Sequence, residues 1–261
     1  MDRRPIGIFD SGLGGLTAVN AFVKDLPNES FIYVGDTARI PYGEKDIDTV
    51  RLYARQIMQF LQKRDVKAVI VACGTVSSNV IHDLRSEFSI PVIDVVNPGV
   101  DACLRLPNLQ RVGVIATEAT IRSGVFPKLL KKSNIEVETK ACPLFVPLIE
   151  EGLAEHPISR CVAEAYFSDW QKNPINALIL GCTHYPLLAK AIQKTLPDAI
   201  LIDISAATLE FASKILEENA LLNDGEKATR EFYSSGDIER FNQLARKITG
   251  MNVDAKKVFW D

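Results

Sequence analysis

VIVACGTVSS, at Val69–Ser78, and LILGCTHYPL, at Leu178–Leu187, decide how this chain is read. Each is a short apolar run that stops at a cysteine, has a hydroxyl residue within two positions (Thr75, Thr183), and passes into helix-forming sequence. A short apolar run of this kind, bounded by turn-forming residues, reads as a buried strand. The landmarks around the two stretches repeat. Asp10 stands 63 positions before Cys73, and Thr117 stands 65 before Cys182. Cys73 to Asp94 and Cys182 to Asp203 are both 21 positions. Asp10 to Pro41 is 31, and Thr117 to Pro147 is 30. The chain therefore compares with itself as two α/β units of similar fold.

Working outward, Ile6–Phe9 reads as a strand running into the glycine-rich turn DSGLGG and then a helix over Leu16–Leu26. Further strands are expected at Phe31–Val34, Lys67–Ala72 and Pro91–Val96, with helices over Asp48–Arg64 and Asn79–Phe88 and a loop at Ala38–Gly43. The order then restarts. Strands are expected at Arg111–Ala116, Ile135–Thr139, Ala177–Gly181 and Ala199–Ile204. Helices are expected over Ser123–Ser133, Cys161–Gln171 and Leu187–Leu196, with a loop or short helix at Pro143–Gly152. Strands alternating with helices imply parallel sheets. The expected fold class is α/β: two similar parallel-sheet α/β domains related by a pseudo-two-fold, with the site in the cleft between them. Residues 1–97 with about 208–261 form the first domain, and 98–207 the second.

Composition narrows the function. The 261 residues are 47% hydrophobic, enough for a sizeable core, and the net charge is −3. That balance, with no basic stripe, argues against nucleic acid and membrane surfaces as partners. The apolar run at Ile6–Phe9 is too short for a secretory leader or a membrane span, so a soluble, cytoplasmic protein is expected. Five cysteines at uneven spacing, with no CxxC pair, do not form a disulfide framework.

Ligands of parallel α/β units bind at the carboxyl ends of strands. Asp10, Cys73, Thr117 and Cys182 each stand just past an expected strand, so facing units bring all four to one cleft, with the two cysteines on opposite sides of a ligand. Exchange of a Cα proton between two faces needs this arrangement, because one group removes a proton and another returns one. Each cysteine also precedes a helix, whose N-terminal dipole favours thiolate. Cys103, Cys142 and Cys161 lack polar neighbours at matching places and read as structural. The turn Gly12-Leu13-Gly14-Gly15 departs from GxGxxG, so a phosphate-binding role and an acid-bearing role for Asp10-Ser11 both stay open. His184, two residues after Cys182, reads as functional; His82 and His156 read as structural or exposed. Glu150 and Glu151 are an exposed pair, one of which is placed to reach the cleft.

IGIFDSGLGG (Ile6–Gly15), GDTARIPYG (Gly35–Gly43), VACGTVSS (Val71–Ser78), LFVPLIEEG (Leu144–Gly152) and LILGCTHYPLL (Leu178–Leu188) together resemble the glutamate racemases of the aspartate/glutamate racemase family. The likeness runs to about residue 210, and FYSSGDIERF (Phe232–Phe241) also resembles the family's C-terminal region. The resemblance implies interconversion of L- and D-glutamate for peptidoglycan, without cofactor or metal. It implies Cys73 and Cys182 as the acid/base thiols, Asp10 assisting the first and His184 the second, with Glu150 also at a site position. Substrate contacts would come from Asp10, Ser11, Tyr42, Gly43, Gly74, Thr75, Thr117, Thr183 and His184. The distal carboxylate would meet Ser11 and the Tyr42–Gly43 backbone, and the α-carboxylate the turns after each cysteine. Gly74 departs from the family, which typically has Asn there.

The partner expected is the small-molecule substrate, glutamate, with a homodimer left open. Racemisation of aspartate would use the same thiols and also stays open. A zinc hydrolase on Cys73, Cys182 and His184 is opposed by the two-residue spacing of Cys182 and His184 and by the lack of an HExxH helix. A dicarboxylate-binding module has no need of paired thiols.

Overall fold

The computed structural model describes residues 2–131, 135–223, 225 and 228–260. Its strands are β1 (Ile6–Asp10), β2 (Phe31–Gly35), β3 (Ala68–Val71), β4 (Val92–Asp94), β5 (Arg111–Ala116), β6 (Glu136–Ala141), β7 (Ala177–Leu180), β8 (Ile200–Asp203), β9 (Arg230–Ser234) and β10 (Lys256–Lys257). Its helices are α1 (Leu16–Asp25), α2 (Ile47–Gln62), α3 (Gly74–Asn79), α4 (Ile81–Glu87), α5 (Val96–Leu104), α6 (Glu118–Ser123), α7 (Val125–Leu130), α8 (Phe145–Glu150), α9 (Pro157–Lys172), α10 (Ala189–Thr195), α11 (Ile204–Glu218) and α12 (Ile238–Thr249).

The strands form two sheets, ordered β10-β9-β2-β1-β3-β4 and β6-β5-β7-β8. All pairings are parallel. The sequence β2-β1-β3-β4 in the first sheet is matched by β6-β5-β7-β8 in the second, so the duplication read from spacing is present in the topology. Both sheets are covered on both faces, which is why their central strands are continuous apolar runs rather than alternating ones. In the first sheet, α1, α11 and α12 pack one face around Phe22, Leu209 and Phe241, and α2 to α4 pack the other around Ile57, Leu61 and Leu84. In the second, α8 to α10 pack one face around Phe145, Phe167 and Ile192, and α5 with α7 pack the other around Val100 and Phe126. Each such side chain, fully buried, contributes roughly 1.5–3 kcal/mol relative to exposure.

The structure corrects several expected boundaries. Helix begins directly after Cys73 as α3, not at Asn79. The strand expected over Pro91–Val96 ends at Asp94, because α5 starts at Val96 with Pro98 in its first turn, where no backbone N–H is needed. The helix expected over Ser123–Ser133 is split by Gly124, whose φ of +64° is left-handed; positions 132–133 of that expectation lie outside the described residues. Pro186 sits in a tight 3-10 turn, Tyr185–Leu188, ahead of α10. The elements α11, β9, α12 and β10 were not anticipated. β9 pairs with β2 and extends the first sheet.

Candidate active site

β1, β3, β5 and β7 deliver Asp10, Cys73, Thr117 and Cys182 at their carboxyl ends; the last three line one cavity between the sheets, whereas Asp10, expected at the substrate, is wholly buried and does not line it. The four do not stand alike. Cys73 is the N-cap of α3 and Thr117 that of α6, its hydroxyl accepting from the Thr120 N–H. Both thiols line a single cavity of about 20 Å³. The first half contributes Ser11, Tyr42, Gly43, Gly74 and Thr75 to its wall, and the second half Thr117, Thr183 and His184. Ile40, Pro41 and Val146 also line it and were not anticipated as site residues. Val146 lies one repeat after the Pro41–Gly43 loop, so the repeat spacing was the signal that could have found it.

Cys73 is buried and donates its S–H to Ser11 Oγ at 3.6 Å. Burial, and next the negative charge of Asp10, push its thiol up to about 12, against the weaker pull of the Val76 N–H and Ser11. The helix N-terminus behind it therefore does not make it a thiolate at neutral pH; desolvation wins, and Cys73 rests protonated. Asp10 is wholly buried, with Oδ2 accepting from Gly12 N–H at 2.9 Å and Oδ1 from the Thr183 hydroxyl at 3.1 Å. It reaches Cys73 through its charge rather than through contact.

Cys182 is furnished differently. His184 faces Cys182 Sγ with Nδ1 at 3.8 Å and donates from Nε2 to Glu150 Oε1 at 2.7 Å. Burial alone would lower the His184 pKa, but the bonds to Cys182 and Glu150 outweigh it and hold the imidazole well above its ordinary 6.5. Glu150 stands behind His184 and lines the neighbouring cavity beside Leu13 and Arg240, not the cavity between the thiols. Tyr42 turns its hydroxyl away from the cleft to donate to Asp36, leaving ring and backbone at the wall. Cys103 and Cys142 are buried away from this cavity, and Cys161 is exposed. His82 is exposed, and His156 caps α9 by accepting from Ile158 N–H. Among the described residues no group of three His, Cys, Asp or Glu side chains is placed to hold a metal ion.

The halves meet closely at glycines. A Cβ on Gly14 would lie 2.3 Å from His184 Nδ1, and one on Gly74 would lie 2.5 Å from the Gly181 carbonyl oxygen. The glycine-rich turn after β1 thus makes room for the histidine of the other half, and the phosphate-binding alternative is not needed to account for it. Polar contacts join the halves around the cavity. The Thr75 and Thr117 hydroxyls are 3.0 Å apart, and Arg240 of α12 donates to the Glu150 carbonyl and to Glu151, both at 3.0 Å.

Residues 11–212 match the Asp/Glu/Hydantoin racemase family. The chain is 41% identical over 251 residues to the glutamate racemase of Aquifex aeolicus, covering 96% of each. It is similar to the solved glutamate racemase of Francisella tularensis in complex with D-glutamate, with 42% identity, a TM-score of 0.92, and 99% and 98% of the two chains covered. The glutamate racemase isoform RacE1 of Bacillus anthracis superimposes with a TM-score of 0.95 at 32% identity, covering 99% of this chain and 98% of that one. With strand-end thiols facing one cleft from two parallel sheets, the chain belongs to this family of racemases, and its reaction class is that of an amino-acid racemase. No helix among the described residues is long and apolar enough to cross a membrane.

Proposed function

We propose that the protein interconverts L- and D-glutamate without a cofactor, using Cys73 and Cys182 on opposite faces of the substrate, and so supplies D-glutamate for peptidoglycan in the cytoplasm. The observation that carries this is the pair of thiols lining one cavity from opposite halves, one resting as a thiol and the other backed by His184 and Glu150. The names of the relatives supply the substrate.

In one direction Cys182, as thiolate opposite the His184 imidazolium, takes the Cα proton, and Glu150 holds the imidazolium in place. The Cys73 S–H then delivers its proton to the other face of the carbanion and is left as thiolate. The reverse direction exchanges the roles, and no proton is gained or lost overall. Thr75, Thr183 and the backbone N–H groups after each cysteine hold the α-carboxylate. Ser11 and the Tyr42–Gly43 backbone hold the distal one. Asp10 acts on Cys73 through its charge while fixing Thr183.

Polarimetry of purified protein with L-glutamate and no added cofactor tests the activity, with L-aspartate alongside. Rotation lost with glutamate and kept with aspartate is expected; the opposite result overturns the substrate assignment. In D₂O, newly formed D-glutamate should carry deuterium at Cα from the first turnovers, while remaining L-glutamate stays protiated. Substantial protium in early D-glutamate overturns the two-thiol mechanism, because a single base passes the substrate's own hydrogen to the product.

A further inference from the structure

Asp36, directly after β2, is wholly buried and collects four donors from three separate segments. Arg39 Nε, at 2.6 Å, and the Tyr42 hydroxyl donate to Oδ2, both from the 38–43 loop. Ser235 Oγ, just past β9, donates to Oδ1 at 2.6 Å. Trp260 Nε1, in the C-terminal tail, donates to the same oxygen at 2.7 Å across 224 positions of sequence. The Trp260 ring also lies beneath the Arg39 guanidinium at 4.8 Å, with Tyr53 against the same guanidinium at 3.8 Å, and Phe60 meets the indole edge-on at 6.0 Å. Ser235 in turn accepts from the Ala38 N–H at 3.0 Å. The loop that carries Tyr42 and Gly43 to the cavity wall is therefore tied at its base to Asp36, and Asp36 is tied to the far end of the chain.

We propose that Trp260 is a positioning residue for the 38–43 loop, acting through Asp36, so that the C-terminal tail sets how tightly the loop grips the distal carboxylate of the substrate. This rests on the reading above that the Tyr42–Gly43 backbone binds that carboxylate. A buried carboxylate oxygen that loses one of two donors leaves part of its charge without a partner, and the segment it organises loosens. The thiols and His184 are untouched by such a loosening, so the effect falls on binding rather than on proton transfer.

The test uses Trp260→Phe, which keeps an aromatic ring near Arg39 while removing the N–H together with one ring of the indole, and Ser235→Ala, which removes the other donor to the same oxygen along with the acceptor of the Ala38 N–H. Two measurements are made on the full-length protein. The first is hydrogen exchange at the amides of residues 38–43, with the Thr183–Leu187 turn as internal reference. The second is kcat and KM with L- and with D-glutamate. Faster exchange confined to 38–43 is expected in both variants, with KM raised about three- to tenfold for both enantiomers and kcat held within about twofold. Exchange at 38–43 as slow as in the wild type overturns the tether. Faster exchange there with unchanged KM, or with a loss in kcat alone, overturns its role in binding. A wild-type protein inactive on glutamate overturns the functional reading instead, and the exchange result still decides the tether.

Discussion

The turns after β3 and β7 share a strand, a cysteine, a hydroxyl residue and a place in the same sheet order, yet they hold their sulfurs in opposite ways. Cys73 faces a serine hydroxyl and the charge of a buried aspartate, and burial keeps its proton on. Cys182 faces an imidazole that is itself braced by a carboxylate. The position equivalent to Asp10 in the second half is Thr117, which carries no charge. The matching sheet order thus places the two groups alike, while the neighbours of each differ. The resting molecule keeps the proton on Cys73 and sets beside Cys182 an imidazole held well above its ordinary 6.5.

The largest expected effect tests the half of this comparison that the thiols share. Cys73→Ala and Cys182→Ala should each lower racemisation by about 10²–10⁴-fold or more while the circular dichroism spectrum stays that of the wild type. Retention of more than roughly a hundredth of the turnover in either variant removes that cysteine from the acid/base pair.

Glu150→Gln should sharpen the asymmetry. A hydrogen bond between charged groups is worth about 1.5–3 kcal/mol, so kcat is expected to fall roughly ten- to a hundredfold. The same variant has a pH signature. His184 is held above its ordinary 6.5, so the stabilisation from its charged form is complete below about that pH and fades as pH rises through the raised value. The difference in Tm between wild type and Glu150→Gln should be larger at pH 6 than on the alkaline side. A difference that grows with rising pH would break the assignment of the histidine as the charged partner.

Alkylation gives a smaller effect on the Cys73 side. Because that thiol is pushed up to about 12, its reaction with iodoacetamide should climb about tenfold per pH unit from 7 to 9 without levelling, read by peptide mass spectrometry. A plateau within that range would mean that Cys73 rests as thiolate.

The smallest effect concerns the seam between the turns. Gly74→Ala places a Cβ 2.5 Å from the Gly181 oxygen, so closure of the two halves must yield by a few tenths of an ångström or more. Overpacking of this kind costs about 1–3 kcal/mol, which predicts a KM raised several-fold or more with kcat little changed. Gly74→Asn carries the same Cβ but adds an amide toward the substrate, so its KM should lie below that of Gly74→Ala. Complete loss of activity in either would show a pocket rebuilt around the glycine.

Much of this was legible in the sequence because it is local. Cys73 and Cys182 follow uninterrupted apolar strands, and the spacing from each to Asp94 or Asp203 repeats. Ser11, Gly74, Thr75, Thr117, Thr183 and His184 lie at or just past strand ends, while Tyr42 and Gly43 lie in the turn beyond the loop after β2; the substrate contacts expected of them came from the family resemblance rather than from spacing. What escaped depends on contacts between distant segments. The purpose of Gly14 is set by His184 of the other half, and the orientation of Tyr42 by an aspartate tied to Trp260. The protonation of Cys73 follows from burial by both halves together, which no local pattern records. β9 went unread because REFYS opens with two charged residues, and it is a strand only because β2 offers an edge to pair with.

The cavity between the thiols measures about 20 Å³, little more than one water molecule occupies. Glutamate needs several times that, so the proposed reaction requires the cavity walls to widen before the substrate enters. Motions of this size run on the microsecond-to-millisecond scale and displace solvent as they go. A cavity that must widen for each substrate ties turnover to motion through solvent, so the maximal rate should fall as sucrose thickens the medium around it.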